Sequence, residues 1–123
     1  MTSLEKILVV EDEPDLAMML ETGLTAIAGF VVKSETDPLS AVESALEFCP
    51  DLILLDWMMP LKNGKSVLID LKGHHELART PVIFITASMN RAELNELASI
   101  SSGVIGKPFE LPEVIAKIKE FSA

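Results

Sequence analysis

Three short segments that are almost entirely apolar restrict the fold of this chain more than any other feature. They occupy residues 6–10 (KILVV), 51–55 (DLILL) and 81–85 (PVIFI). A strand with one wet face alternates apolar and polar residues, whereas an unbroken apolar run suits a strand covered on both faces. Residues 30–34 and 103–106 are weaker strand candidates. The pattern predicts five strands, at least three of them buried on both faces.

Helical patterns fill the intervals that follow each strand candidate. Pro14 and Gly29 stand where proline and glycine are favoured at the two ends of a first helix, and Asp37-Pro38 starts a second one in the same way. The predicted apolar faces of the five helices are Leu16, Leu20, Leu24 and Ile27; Ala41, Val42, Ala45 and Leu46; Val67, Leu68 and Leu71; Leu94, Leu97 and Ala98; and Leu111, Val114, Ile115, Ile118 and Phe121. Five strand–helix units predict an α/β fold in which a parallel sheet is covered by helices on both faces.

The composition is that of one folded domain over residues 1–123, with 49% hydrophobic residues and a net charge of −9. Apolar runs are far shorter than the roughly 18 residues of a membrane span, and no signal peptide precedes the acidic start. The net negative charge argues against a surface that binds nucleic acid or anionic lipid. Cys49 is the single cysteine, so no internal disulfide forms, and we expect a partly buried thiol without a role. These features predict a soluble cytoplasmic protein.

Polar residues follow four of the strand candidates. The first strand is followed by Glu11-Asp12-Glu13, the third by Asp56, the fourth by Thr86, and the fifth by Lys107. The carboxyl ends of parallel strands meet at one edge of a sheet, where ligands of such folds bind. We therefore expect carboxylates, a hydroxyl and an ammonium group in one site.

The charges of this predicted site indicate a metal ion and a phosphoryl group. Clustered carboxylates repel one another unless a cation lies among them, and a set of oxygen ligands suits a hard ion such as Mg²⁺. Glu11, Asp12 and Asp56 carry three negative charges, which Mg²⁺ and Lys107 together neutralise. A carboxylate can be a nucleophile that forms an aspartyl phosphate, and Thr86 can donate a hydrogen bond to a phosphoryl oxygen.

Four segments resemble the response-regulator receiver domains of two-component signalling. They are ILVVEDEPD at 7–15, DLILLDWMMPLKNG at 51–64, PVIFITAS at 81–88 and KPF at 107–109. The resemblance covers essentially the whole chain. It implies a (βα)5 doubly wound, flavodoxin-like (CheY-like) fold with strand order 2-1-3-4-5.

The resemblance also implies the roles of the acidic residues. Asp56 matches the phosphorylated aspartate of the family. Asp12 matches a direct ligand of Mg²⁺ (or Mn²⁺), and Glu11 matches a second acid that acts through water. The backbone carbonyl of Met58 completes the implied metal site. Met58 and Ser88 flank the site, and an apolar Met58 does not orient an attacking water, so we predict slow hydrolysis of the phosphorylated form.

Thr86 matches the hydroxyl that moves toward the phosphoryl group, and Lys107 matches the lysine that pairs with the aspartate or its phosphate. The family often has an aromatic residue three positions before this lysine, where the chain has Val104, so the coupling of the threonine to an aromatic ring departs from its usual form. The implied phosphodonor is a histidine kinase or a phosphotransfer protein. A downstream protein is expected on the face of the fourth helix, fifth strand and fifth helix, and the chain is expected to be a monomer or weak dimer.

Three other functions compete with a phosphorylated receiver. A pseudo-receiver would bind partners without phosphate, which the departure at Val104 keeps open. A magnesium-dependent phosphatase working through an aspartyl phosphate usually has a second aspartate where this chain has Met58. A flavodoxin-like cofactor carrier would need a phosphate-binding loop after the first strand, which the sequence lacks. Elsewhere we expect Trp57 to be partly exposed, and His74-His75 to be exposed and not a metal pair.

Overall fold

The computed structural model describes residues 4–122, in which five parallel strands form one sheet in the order β2-β1-β3-β4-β5. The strands are β1 (Lys6–Val10), β2 (Val31–Glu35), β3 (Leu52–Asp56), β4 (Val82–Thr86) and β5 (Gly103–Gly106). All residues of β3 and β4 are buried. This confirms the parallel sheet and the strand order 2-1-3-4-5.

Five helices cover both faces of the sheet. They are α1 (Pro14–Ala28), α2 (Ala41–Phe48), α3 (Gly64–Lys72), α4 (Arg91–Ile100) and α5 (Leu111–Lys119). Alternate side chains of the strands feed two separate cores: one packs against α1 and α5, and the other against α2, α3 and α4. The doubly wound arrangement is thus confirmed. No helix within residues 4–122 is long and apolar enough to cross a membrane.

Three of the strands begin one residue later than the sequence pattern predicts. The predicted segments 30–34, 51–55 and 81–85 are displaced by one position because each begins with a residue that belongs to the preceding turn. Asp51, for example, turns its carboxylate back to accept hydrogen bonds from the backbone N–H groups of Glu5 and Lys6, both at 2.9 Å. The shift brings Asp56 and Thr86 into the last positions of their strands.

The ends of the first two helices differ in part from the predictions. Gly29 ends α1 in the left-handed conformation with φ of 75°, as its position predicts. Ile27 was expected on the buried face but is 67% exposed, because Ala28 takes the inward position of the last turn. Asp37-Pro38 starts a single 3-10 turn, capped by the Asp37 carboxylate, and α2 itself begins only at Ala41.

Two further burial predictions were wrong. Cys49 is exposed, not partly buried, because it adopts a left-handed conformation (φ of 53°) that ends α2 and turns its side chain away from the core. In the weak fourth helix Leu97 is buried as expected, but Ala98 is exposed. His74 and His75 are exposed, as predicted.

Candidate functional site

Glu11 enters the site directly from the end of β1. Its backbone N–H donates to the carbonyl of Glu35 on β2 at 3.1 Å, which extends the strand pairing by one residue. The side chain is only 1% exposed, and one carboxylate oxygen accepts a hydrogen bond from the Glu13 N–H at 3.1 Å. Asp12, the next residue, is partly exposed. The end of β1 therefore presents one buried and one accessible carboxylate.

Asp56 is the last residue of β3 and pairs in register with Ile85 of β4. The following N–H, of Trp57, donates to the Ile85 carbonyl at 2.9 Å, so the backbone is still held to the sheet beyond the aspartate. Asp56 is 4% exposed. Its carboxylate is thus fixed by a central strand and has only a narrow opening to solvent.

Lys107 and Thr86 come to the site from the other two strand ends. The Lys107 N–H donates to the Thr86 carbonyl at 2.7 Å. The Lys107 ammonium donates to Glu11 Oε1 at 3.3 Å and to Asp56 Oδ1 at 3.4 Å. Thr86 is buried, and its hydroxyl oxygen accepts a hydrogen bond from the Ser88 N–H at 3.0 Å, so its own O–H remains able to donate elsewhere.

Burial holds both inner carboxylates in an unfavourable electrostatic state. Burial, reinforced by the charge of Asp56, raises the pKa of Glu11 from its ordinary 4.5 to about 7. Burial also raises the pKa of Asp56, against the opposing effects of its hydrogen bond with Glu11 and of Lys107. Although burial alone lowers the pKa of Lys107, the charges of Asp56 and Glu11 raise it overall. One lysine therefore does not offset the negative charge at this edge of the sheet.

The carboxylates are arranged as the ligands of a hard cation. One oxygen from each of Glu11, Asp12 and Asp56 lies within 4.8 Å of the others. Oxygen ligands of this kind suit Mg²⁺ or a similar divalent ion, and a positive charge there would offset the cost of burying two carboxylates, which raises both pKa values. The donor set and its charge both fit such an ion.

The loop between β3 and α3 packs closely against the site, which the sequence reasoning missed. The Gly64 N–H donates to the Trp57 carbonyl at 2.8 Å. A Cβ at Gly64 would lie 2.5 Å from the Asp56 carbonyl oxygen and 2.9 Å from the ring of Phe84. A glycine in a sequence suggests that the backbone turns there or that another group approaches it closely. Which group approaches Gly64 depends on the packing of β3 and β4, which the sequence does not show.

Trp57 was expected to be partly exposed, and that prediction was wrong. The side chain is 7% exposed and packs edge-on against Phe84 of β4, with ring centroids 5.4 Å apart and an interplanar angle of 85°. The indole belongs to the hydrophobic core that α2, α3 and α4 cover. Its N–H has no hydrogen-bond partner among residues 4–122. Trp57, which directly follows Asp56, is thus part of the core beneath α3 and α4.

The order of the strands and the acidic cluster define an α/β domain of the flavodoxin-like class with a cation-type site at the carboxyl edge of its sheet. A family model described as the response regulator receiver domain matches residues 7–119. The chain belongs to this family and is the receiver domain of a two-component response regulator.

Curated relatives agree with this assignment. The chain is 37% identical over 117 residues to the phosphate regulon transcriptional regulatory protein PhoB of Rhizobium meliloti. The alignment covers 94% of the chain and 51% of that protein. It is 35% identical over 117 residues to the response regulator ArlR of Staphylococcus aureus. That alignment covers 93% of the chain and 51% of that protein. The chain spans about half the length of these relatives.

Solved structures share the same fold. The chemotaxis protein CheY4 of Vibrio cholerae superposes with a TM-score of 0.88 at 22% identity, covering 96% of this chain and 98% of that one. The receiver domain of the sensor histidine kinase PA1611 of Pseudomonas aeruginosa superposes with a TM-score of 0.85 at 26% identity, covering 97% and 98%. That structure has a magnesium ion coordinated in its active-site cleft.

Proposed function

We propose that this receiver domain accepts a phosphoryl group on Asp56 in a magnesium-dependent reaction, and that a histidine kinase or a phosphotransfer protein donates it. The observation that supports this most is the set of charged groups around one buried carboxylate. Asp56 Oδ1 lies 3.4 Å from the Lys107 ammonium nitrogen, and a carboxylate oxygen of Asp56 lies within 4.8 Å of oxygens of two further acids. A carboxylate so placed is a nucleophile with its charge partners already in position.

In the proposed reaction an Asp56 oxygen attacks the phosphorus of the donor's phosphohistidine. The new oxygen–phosphorus bond forms as the phosphorus–nitrogen bond breaks, and the donor's imidazole takes up a proton as it leaves. The backbone around Asp56 is held to Ile85 by strand pairing and by the N–H of Trp57. Because the nucleophile is fixed in advance, little ordering is needed when the donor arrives.

Lys107 and Thr86 would stabilise the product. The ammonium already bridges Glu11 and Asp56, so a short movement brings it against a phosphoryl oxygen. The Thr86 hydroxyl is buried at the end of the adjacent strand, and its free O–H can donate to another phosphoryl oxygen. Both groups act as preorganised donors toward charge that grows during the transfer.

Asp12, Glu11 and Asp56, with the backbone carbonyl of Met58, are the proposed holders of Mg²⁺ or Mn²⁺. A divalent ion here neutralises the added phosphoryl charge. The fit rests on the hard oxygen donors and on the burial of Glu11 and Asp56, which raises the pKa values of both carboxyl groups.

The output of phosphorylation is proposed to be a protein contact on the face made by α4, β5 and α5. The names of the curated relatives describe transcriptional regulators, so a regulator of transcription is one possible recipient of the signal. Val104 lies on β5 in register with Phe84. A change at Asp56 can therefore reach this face through Trp57 and Phe84, which pack against each other.

Incubation with acetyl phosphate and Mg²⁺, followed by intact mass measurement, tests the proposal. We expect the mass gain of one phosphoryl group, absent without Mg²⁺ and absent in Asp56→Asn. The matched control Glu43→Gln changes an exposed glutamate on α2 and should be labelled like the wild type.

Other outcomes of the same experiment identify the competing functions. An unlabelled wild type that still folds and binds partners would be a pseudo-receiver. Continuous release of phosphate from several phosphate esters, without accumulation of the labelled form, would indicate an aspartyl-phosphate phosphatase.

A further inference from the structure

The segment between α3 and β4 is held in place by the side chain of one lysine. Lys72 is the last residue of α3. Its Nζ donates hydrogen bonds to the carbonyl oxygens of Ala78 at 3.2 Å and of Thr80 at 2.5 Å. Both carbonyls belong to residues 73–81, which we call the α3–β4 segment. The lysine therefore fastens the far end of this segment to the end of the helix that precedes it.

The α3–β4 segment has few other attachments to the domain. Leu77 is buried, whereas the other residues from 73 to 79 are exposed. The hydrogen bonds within the segment are those of local turns: the Leu77 N–H donates to the His74 carbonyl at 2.9 Å, and the Thr80 N–H donates to the Leu77 carbonyl at 3.1 Å. The two contacts of Lys72 are thus a large part of what holds the segment.

Lys72 differs from most other lysines of the chain in its partners. Those that form ion pairs with acids are Lys33, Lys62, Lys65, Lys107 and Lys117. Lys6 lies 5.6 Å from the centre of the Phe48 ring. A neighbouring carboxylate or an aromatic face favours the charged ammonium form. Within the described part of the chain, Lys72 has carbonyl oxygens as partners and no carboxylate.

The arrangement around Lys72 Nζ can be kept when the nitrogen loses a proton. An ammonium group has three N–H donors, and the two carbonyls use two of them. The neutral amine retains two N–H groups, so both contacts can persist, and its lone pair then points away from the two carbonyls. Burial lowers the pKa of Lys72, which favours this neutral form. A neutral amine is the form in which lysine is a nucleophile.

We infer that Lys72 is an acetylation site, and that an acyl phosphate such as acetyl phosphate is the acetyl donor. The amine attacks the carbonyl carbon of the donor. The new carbon–nitrogen bond forms as the bond from that carbon to the phosphate oxygen breaks; phosphate leaves with the electron pair, and the proton of the amine passes to water. The inference is independent of the proposed function, since neither Asp56 nor a metal ion takes part in this reaction.

Acetylation changes what Lys72 can hold. Acetyl-lysine is uncharged and has a single N–H, so it cannot donate to both Ala78 and Thr80. One of the two carbonyls loses its partner, and the α3–β4 segment becomes looser. Arg79 lies between these two residues and is exposed. The peptide bond that follows Arg79 is therefore the place where loosening becomes measurable, because trypsin cleaves after arginine.

Treatment of the full chain with acetyl phosphate in EDTA tests the inference, because EDTA removes the Mg²⁺ that the proposed phosphorylation needs. Peptide masses after digestion with a glutamate-specific protease report the acetylated fraction of each lysine with time. Lys119, which is exposed at the end of α5, and Lys65, which is paired with Glu96 at 2.7 Å, are the internal references. We expect Lys72 to be acetylated about threefold or more faster than either, because a lowered pKa increases the neutral fraction.

Brief digestion of the folded protein with trypsin tests the structural consequence. Cleavage after Arg79 should be about fivefold faster in the acetylated wild type than in the untreated wild type, as expected for the loss of one hydrogen bond from a locally opening segment. Lys72→Arg keeps the charge and several N–H donors, and the same treatment should leave its cleavage rate unchanged. Lys65→Arg is the matched control, and its cleavage should accelerate as in the wild type.

Acetylation of Lys72 that is no faster than that of Lys119 would overturn the inference, because Lys72 would then react as an ordinary surface lysine. An unchanged rate of cleavage after Arg79 in the acetylated wild type would also overturn it, since the modification would then not affect the segment. So would equal acceleration in treated Lys72→Arg, because another acetylated lysine would then be the cause.

Discussion

The burial of Glu11 predicts that the metal-free domain loses stability as the pH rises toward neutrality. An acid whose pKa is higher in the folded state than in the unfolded state binds its proton more tightly when folded. The contribution of Glu11 to the free energy of unfolding is therefore fully present below pH 4.5. It is lost as the pH rises through about 7, the pKa of Glu11 in the folded domain. At about 1.4 kcal/mol per pH unit, this loss is at most about 3 kcal/mol. Asp56, whose pKa is also raised, adds to it in the same direction.

Glu11→Gln isolates the contribution of this one carboxylate. The amide oxygen can still accept the hydrogen bond that Glu13 donates, but the side chain no longer ionises. In EDTA, urea denaturation should show the variant more stable than the wild type at pH 8 by up to about 3 kcal/mol, and by only about 1 kcal/mol or less at pH 5. Glu43→Gln, an exposed glutamate on the first turn of α2, should differ little from the wild type at either pH.

Addition of Mg²⁺ should reverse the effect in the wild type. At pH 8 the ion is expected to raise the free energy of unfolding of the wild type, because it binds the folded state alone, and to raise that of Glu11→Gln by less. Equal stability of the metal-free wild type at pH 5 and pH 8 would refute the reasoning. So would a Glu11→Gln variant that is no more stable than the wild type at pH 8, since the carboxylate would then ionise freely in the folded domain.

Three further changes test other parts of the site. Gly64→Ala should lower the free energy of unfolding by about 1–3 kcal/mol, because its Cβ would overlap the carbonyl of the last residue of β3. Gly73→Ala should leave the free energy of unfolding nearly unchanged, because its Cβ meets only contacts of 3.4 Å or more. Equal losses of the two variants in urea denaturation would contradict this reasoning. Lys107→Gln should cost about 1–3 kcal/mol at pH 8 and less at pH 5, where Glu11 is protonated; a loss that is the same at both values would show that charge is not its cause. The phosphorylated form, followed by intact mass, should persist for minutes or longer because the apolar Met58 does not orient water, and loss of the label within seconds would count against this role.

The sequence was sufficient to predict the sheet because the strands are buried on both faces. An unbroken apolar run such as residues 52–55 is typical of a strand that is covered on both faces. Once the strands are parallel, the positions of Glu11, Asp56 and Thr86 at one edge follow from the connection rules. The residues that meet at the site were therefore predictable as a group, although their distances and protonation were not.

The errors have a common physical origin in contacts between distant segments. Trp57 is buried because its ring packs against Phe84, which lies far from it in sequence. Ile27 fits the helical period but lies at the last turn, where one residue decides which side chain turns inward. Local patterns do not contain this information, since it depends on packing across the sheet.

The carboxyl edge of the sheet combines two sources of instability that the contacts among residues 4–122 leave in place. Ionised Glu11 and Asp56 repel each other in a buried setting, and Leu61 holds a strained conformation without burial. A ligand that binds only the folded state stabilises it by its binding free energy, and relief of strain or repulsion adds to that binding. A cation at this edge relieves the first source by offsetting the negative charge, but it leaves the conformation of Leu61 unchanged.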